Sequence, residues 1–202
     1  MIAGTVRWAA LPAGVRAAVE GCAGPVLDDV PWGEGLGSSL RLSLRTASGE
    51  VFVKGAGPDD PVRRHRKLDA GAALTPYVGR IAPRLLWQVR EGGWNIAGYE
   101  RLPGRPWASY DRDSPDIAGM VGVLRELAAI PAPDVLTDTA RDQWGRYAAD
   151  PAVLDGDDLQ HGDPNPANFV VDGARTWLVD WGWAVRGPGW LTAALLVLYL
   201  LM

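Results

Sequence analysis

Apolar residues recur along this chain in two periods, two residues apart in the first half and three or four apart in much of the second. Leu40, Leu42 and Leu44 alternate with polar neighbours in LRLSLRT, and the Val/Phe run EVFVKG follows Ala47-Ser48-Gly49. Alternation, a Ser-Gly break and a second β-prone run form the pattern of a hairpin. PRLLWQVR and GWNIAGYE, joined at Glu91-Gly92-Gly93, supply two further strands. Ahead of them LPAGVRAAVEGC, residues 11 to 22, places Val15, Ala18 and Val19 on one helical face. Between the strand pairs Asp60-Pro61 opens a helix, with Pro in the first turn where its missing N–H costs nothing. Thr75-Pro76 is expected to end it just past Leu74.

After LPGRP, residues 102 to 106, the helical period takes over. Ile117, Val121, Leu124 and Ala128 share a helical spacing behind the start signal Asp113-Ser114-Pro115, and a weaker helix spans roughly 137 to 149. FVVD and TWLVD then flank a Gly173 turn as a short strand pair. A strand-rich part joined by a Pro/Gly linker to a helical part predicts an α+β chain of two lobes with a cleft between them. The expected boundaries are 1–101 and 102–202.

The last segment, LTAALLVLYLLM, is apolar all round. It is shorter than the roughly 20 residues that cross a bilayer, and a helix apolar on every face is expected to be buried on every face. Its cover would come from elements outside this chain, from a second copy in a homodimer or, less readily, from weak contact with a membrane.

Composition narrows the partners. At 202 residues, 48% hydrophobic and 22% charged, this is an ordinary globular chain with a net charge of -4, which supplies no basic field for nucleic acid. The single Cys22 excludes an internal disulfide and suits a reducing cytoplasm. No unbroken apolar run follows basic residues near the N-terminus, so no signal peptide is expected.

The candidate chemistry lies in LQHGDPNPANFVVDGARTWLVDWGWA, residues 159 to 184. Asp163 stands five residues before Asn168, and Asp180 twelve after it. Phosphoryl transfer from a nucleotide needs a carboxylate to orient and deprotonate the attacking hydroxyl, and oxygen ligands for magnesium. Magnesium keeps several waters, so two protein oxygens suffice. A strand pair as short as this one can bring its two ends, Asn168 and Asp180, to one ion. Taken singly, each Asp or Asn is more commonly a turn cap; together with His161, a structural hydrogen-bonder beside Asp163, they form a constellation.

These residues resemble the aminoglycoside phosphotransferase family, kinase relatives with a two-lobed protein-kinase-like fold. HGDPNPAN at 161 to 168 looks like the family's H-G-D-x-x-x-x-N catalytic loop, and LVDW at 178 to 181 like its metal-binding Asp segment. The resemblance implies Asp163 as catalytic base, with His161 beside it, and Asn168 and Asp180 as magnesium ligands for ATP or GTP. It implies a small antiparallel-sheet N-lobe that binds nucleotide and a mainly helical catalytic C-lobe, over about Leu11 to about Leu195. Family members continue further, so an incomplete C-terminal lobe is expected, and Thr192 stands where an Asp is often seen.

In the first half Gly33, Gly35 and Gly37 with Ser38 and Ser39 form a turn whose amides would approach the phosphates, and Lys54 in VFVKG follows at the family's distance. The acid that orients such a lysine is usually a Glu on the next helix; here the only acid is the shorter Asp69. NIAGYERLPG resembles the hinge, where adenine would meet the backbone of Tyr99, Glu100 and Arg101. Among the Trp, Trp181 and Trp183 stand nearest the nucleotide by position. The expected function is transfer of a nucleotide's terminal phosphate to a small hydroxyl-bearing molecule. The alternative is a nucleotide-binding pseudoenzyme or interaction module, and behind it a nonfunctional fragment.

Overall fold

A computed structural model describes residues 6–32, 39–106, 108–111, 113–173 and 175–201. The chain divides into two compact units, Met1–Ala72 with Arg84–Arg101, and Ala73–Pro83 with Leu102–Met202. The expected glycine turn, with Gly35, Gly37 and Ser38, lies outside the described residues.

The first unit holds helix α1 (Ala13–Ala23) and strands β1 (Val26–Pro31), β2 (Leu40–Thr46), β3 (Gly49–Ala56), β4 (Leu85–Glu91) and β5 (Trp94–Glu100). The strands form one antiparallel sheet in the order β1-β2-β3-β5-β4. The alternating leucines behave as their spacing requires: Leu40, Leu42 and Leu44 are fully buried and pack with Val15 and Val19 of α1, Val53 and Ile96. Each such side chain contributes about 1.5–3 kcal/mol by leaving water. β1 was not legible in the sequence. VLDDVP lacks alternation, exposes Leu27 and Val30, and pairs on one side only, with a register shift between Val26 and Asp28. An edge strand carries little inward-facing pattern to read.

Helix α2 (Val62–Val78) runs on through Pro76, past the expected stop. A proline so near the end forgoes one backbone hydrogen bond. Leu74 and Val78, buried in the second unit's core, hold the final turn in place against that loss.

The second unit contains β6 (Arg105–Pro106), α3 (Asp116–Leu127), α4 (Ala140–Trp144), β7 (Asp158–Gln160), β8 (Phe169–Asp172), β9 (Arg175–Leu178), β10 (Val185–Gly187) and α5 (Leu191–Leu201). β6, β8 and β9 form one small antiparallel sheet, and β10 pairs with β7. β7 and β10, three residues each, are too short to show a period. The core gathers Phe169, Leu178, Leu159, Met120 and Trp181.

Two helix expectations are corrected here. α3 buries Met120, Val123 and Leu127, while Val121 is exposed. That stripe is also helically spaced and neighbours the expected one, so periodicity alone could not choose between them. The helix expected over 137 to 149 shrinks to α4 and a 3-10 turn, Gly145–Tyr147. In α5, whose cover was expected from outside this chain, Leu191, Thr192 and Leu196 are buried and Val197, Leu198 and Leu201 are exposed. No helix among the described residues is long and apolar enough to cross a membrane.

One buried charge deserves a test of its own. Asp116, 4% exposed, accepts from the Ser109 N–H at 2.7 Å and from Arg105. Burial pushes its carboxyl up, but the Ser109 and Arg105 interactions outweigh it and hold the group below its ordinary range. Asp116→Ala removes the acceptor shared by both donors. The expected loss is about 2–3 kcal/mol in urea unfolding, the low side for a buried pair because Arg105 is half exposed. The folded pKa is depressed, so this stability is present above the unfolded value of 3.8 and is lost as pH falls below it.

Candidate active site

The loop 161–168 links β7 to β8, and its path follows from local chemistry. Gly162 has φ of 79°, and a Cβ there would lie 2.2 Å from the Trp183 carbonyl oxygen, so no other residue fits. Asn165 then caps the single 3-10 turn Pro166–Asn168, its Oδ1 accepting from the Ala167 N–H at 2.9 Å. Pro166 occupies the position where an N–H would have no partner.

This folding surrounds the Asp163 carboxylate with donors. Asn165 Nδ2 donates to Oδ1 at 2.8 Å, Asn168 Nδ2 to Oδ2 at 3.2 Å, and the Tyr199 hydroxyl to Oδ1 at 3.0 Å. Asn168 Nδ2 also donates to the Asp163 carbonyl at 2.8 Å. Tyr110 pins the next residue, its hydroxyl donating to the Pro164 carbonyl at 3.1 Å. Burial first, and then the Asp163 charge, push the Tyr199 phenol above its ordinary range. Burial, Tyr199 and Asp163 do the same to Tyr110. Both phenols therefore remain protonated donors.

His161 is fully buried and joins the two halves of the constellation. Its Nδ1 accepts from the Asp163 N–H at 3.3 Å, and its Nε2 lies 2.9 Å from the Val179 carbonyl oxygen. Those roles assign the neutral tautomer with its proton on Nε2. Burial drives the imidazole down to about 4, against the upward pull of the Val179 carbonyl, Asp180 and Asp163. Trp181 packs edge-on against the ring at 4.8 Å. His161 is thus a neutral hydrogen-bonder at pH 7. Trp181, whose indole N–H goes to the Leu178 carbonyl, fills core rather than facing a ligand. Trp183 is exposed.

Backbone pairing brings Asn168 opposite Val179, the residue before Asp180. Phe169 pairs with Leu178, and the Val179 N–H donates to the Asn168 carbonyl at 2.8 Å, which carries the hairpin one residue past its strands. The Val179 peptide is therefore held at its N–H by Asn168 and at its C=O by His161, with Asp180 next in line. Asp180 is the non-glycine residue with positive φ among those described, at φ 68° and ψ 57°. It follows the strand in a left-handed turn rather than ending it in extended form. That conformation costs roughly 1 kcal/mol for a residue with a Cβ.

Asn168 Nδ2 is committed to Asp163, which turns its Oδ1 to the other side of the amide, and Asp180 two residues beyond the end of β9 carries a carboxylate of the same hard-oxygen kind. That donor set fits magnesium, which takes few protein oxygens and keeps its waters. Among the described residues no three His, Cys, Asp or Glu side chains gather as a metal cluster.

The other expected residues belong to the first unit. Lys54 is half-buried in the middle of β3, between Arg41 of β2 and Ala97 of β5, rather than at a frayed strand end. The Ser39 hydroxyl donates to Asp60, whose other partners are the Gly57 N–H at 2.7 Å and Arg64. Burial pushes Asp60 up, but these donors prevail and lower it. Asp69 Oδ1 accepts from Gln88 at 2.8 Å and from Arg90 and Asn95 at 2.7 Å. At the expected hinge Tyr99 pairs with Phe52, and the Glu100 N–H already donates to the Arg84 carbonyl, so that amide is not open to a base. Arg101 stacks over Trp32 at 4.9 Å.

Tyr110, Gln160 and Tyr199 were not singled out from the sequence, and Thr192 was noted there only for standing where the family often has an Asp. Gln160 Oε1 accepts from the Thr192 N–H at 2.8 Å and hydroxyl at 2.9 Å, and Thr192 Oγ1 accepts from the His161 N–H at 3.0 Å. A signal for two of them existed: Thr192 and Tyr199 carry the two hydroxyls of an otherwise apolar helix, seven residues apart on one face.

No protein-family model matches the chain, and no curated protein matches it. Solved structures do. A thermostable mutant of aminoglycoside phosphotransferase APH(4)-Ia, in ternary complex with ADP and hygromycin B, aligns at TM-score 0.63 and 14% identity over 90% of this chain and 75% of that one. An aminoglycoside-3'-phosphotransferase of type VIII aligns at TM-score 0.60 and 23% identity over 89% of this chain and 80% of that one. At such identities the likeness speaks to architecture. The α+β fold of this chain, an antiparallel sheet followed by a mainly helical part, is the kinase-like fold of the aminoglycoside phosphotransferases.

Proposed function

We propose that this chain is a cytoplasmic phosphotransferase that moves the terminal phosphate of magnesium-bound ATP or GTP to a hydroxyl of a small molecule. The observation that carries this reading is the Asp163 carboxylate, held by Asn165, Asn168 and Tyr199 in a loop tied through His161 to the peptide before Asp180. Asp163 orients the acceptor hydroxyl and takes its proton. The hydroxyl oxygen bonds to the terminal phosphorus as the bond to the leaving diphosphate breaks. Asn168 Oδ1 and the Asp180 carboxylate hold magnesium, which when bound neutralises charge on the phosphates. Lys54 supplies a compact positive charge to nonbridging phosphate oxygens, helped by amides of the turn with Gly35, Gly37, Ser38 and Ser39. The base is assigned to the backbone of the segment 99–101, where the chain resembles the family's hinge.

A second reading, a nucleotide-binding module without transfer, is favoured by Asp69. Three donors from the sheet already converge on Oδ1 of this acid, which is an Asp where the family usually has a Glu. Two measurements separate the readings. Thermal-shift titration with Mg-ATP and Mg-GTP reads binding, and a transfer screen over aminoglycosides, other antibiotics, choline-like alcohols and sugars reads chemistry. Stabilisation with transfer is expected. Stabilisation without it points to the module, and the absence of both would mean that the fold has no nucleotide role in this chain.

A further inference from the structure

We propose that α5 is the brace of the loop 161–168, and that Tyr199 is the positioning residue for the Asp163 carboxylate. The inference rests on the reading of Asp163 as the base and adds what fixes it.

Three donors hold that carboxylate, but they differ in kind. Asn165 and Asn168 belong to the loop itself and move with it. Tyr199 is anchored on a separate helix, and that helix is already tied to the start of the same loop. Thr192 accepts from the His161 N–H at 3.0 Å, while its own N–H and hydroxyl meet Gln160 at 2.8 and 2.9 Å. Thr192, Leu196 and Tyr199 stand at i, i+4 and i+7, so they share one helical face. Two turns of helix, about 10 Å of rigid rise, fix the spacing between the two attachment points. The buried Leu196 between them docks that face in the core.

An aspartate's terminal torsion is broad, so a carboxylate in a loop needs an outside reference to hold one orientation. The Tyr199 phenol provides it as a permanent donor, because burial and the Asp163 charge keep its proton on. Tyr110, on the chain before α3, fastens the adjoining Pro164 carbonyl and so limits rotation of the loop as a whole. The acceptor's proton must reach a carboxylate oxygen in a set direction, and misplacement of the base is costly in rate.

The test uses the full chain as wild type, Tyr199→Phe, Asp163→Asn and the double variant. Urea midpoints of the four read the contact, and phosphate release from Mg-ATP and Mg-GTP, with water as acceptor, reads the role. Phe keeps the ring and its packing, so Tyr199→Phe is expected to fold. Expected are non-additive midpoints and a kcat about tenfold lower with the nucleotide KM unchanged. Additive midpoints would overturn the contact whatever the activity. Non-additive midpoints with wild-type kcat would overturn the positioning role. If the wild type neither releases phosphate nor transfers it to any compound of the acceptor screen, the phosphotransferase reading fails and the positioning role with it, while the cycle still reports whether the two side chains meet.

Discussion

Asp163→Asn is expected to lower kcat by about 10²- to 10⁴-fold, the range over which a positioned general base contributes. The substitution keeps the size of the side chain and removes its capacity to take a proton. Most of the remaining catalysis in phosphoryl transfer is positioning and charge neutralisation, which other residues supply, so a residual rate should survive. Nucleotide stabilisation in a thermal-shift titration should also survive, because Asp163 is assigned no contact with it. A modest loss of stability accompanies the change. Three donors converge on the carboxylate, and an amide group has only one oxygen to offer them. One donor then faces an NH₂, at a cost of about 1–3 kcal/mol. Undiminished turnover in this variant would remove the base assignment.

The second large effect is on stability. His161→Ala opens a fully buried site, deletes two hydrogen bonds and strands the Val179 carbonyl, so a loss of about 3–4 kcal/mol is expected in urea unfolding. The wild-type protein should also carry a pH signature that the variant lacks. The folded pKa of about 4 lies below the unfolded 6.5, so below pH 6.5 the unfolded chain takes up a proton that the folded chain refuses. Stability from this source is complete above pH 6.5, falls as pH drops, and levels off near pH 4. At 1.36 kcal/mol per unit the total is about 3 kcal/mol. Asp60 and Asp116, both held below 3.8, act only at lower pH, so the windows separate. Equal slopes for wild type and variant between pH 4 and 6.5 would show that the imidazole titrates freely in the folded protein.

The two effects share one cause. His161 joins two stretches that are far apart along the chain: its Nδ1 receives the Asp163 N–H, and its Nε2 holds the peptide that leads into Asp180. Loss of the ring should therefore disturb the loop 161–168 and the proposed magnesium ligand together.

Much of this was readable in the linear chain. The alternation of Leu40, Leu42 and Leu44 and the paired runs around Gly49 and Gly92 specified the sheet, because a period of two has only one buried face to offer. The spacing of His161, Asp163 and Asn168 pointed to one polar cluster, and the hydrogen bonds of His161 and Asn168 to Asp163 form it, because five residues of tight loop keep those side chains close. Residues whose character depends on partners distant in the chain were not readable. β1, β7 and β10 exist because a neighbour pairs with them, and α3 turned its Met120 face inward because the β8–β9 sheet lies there.

What the sequence by itself determined is the order of elements and the identity of the chemical groups, both set by local spacing and side-chain type. Tertiary structure alone decided how those groups are held. It made Thr192 and Tyr199, two hydroxyls on a helix that looked wholly apolar, the outside supports of His161 and Asp163. Hydrogen bonds spanning 31 and 36 residues leave no periodic trace in a sequence, since they depend on where two surfaces meet after packing.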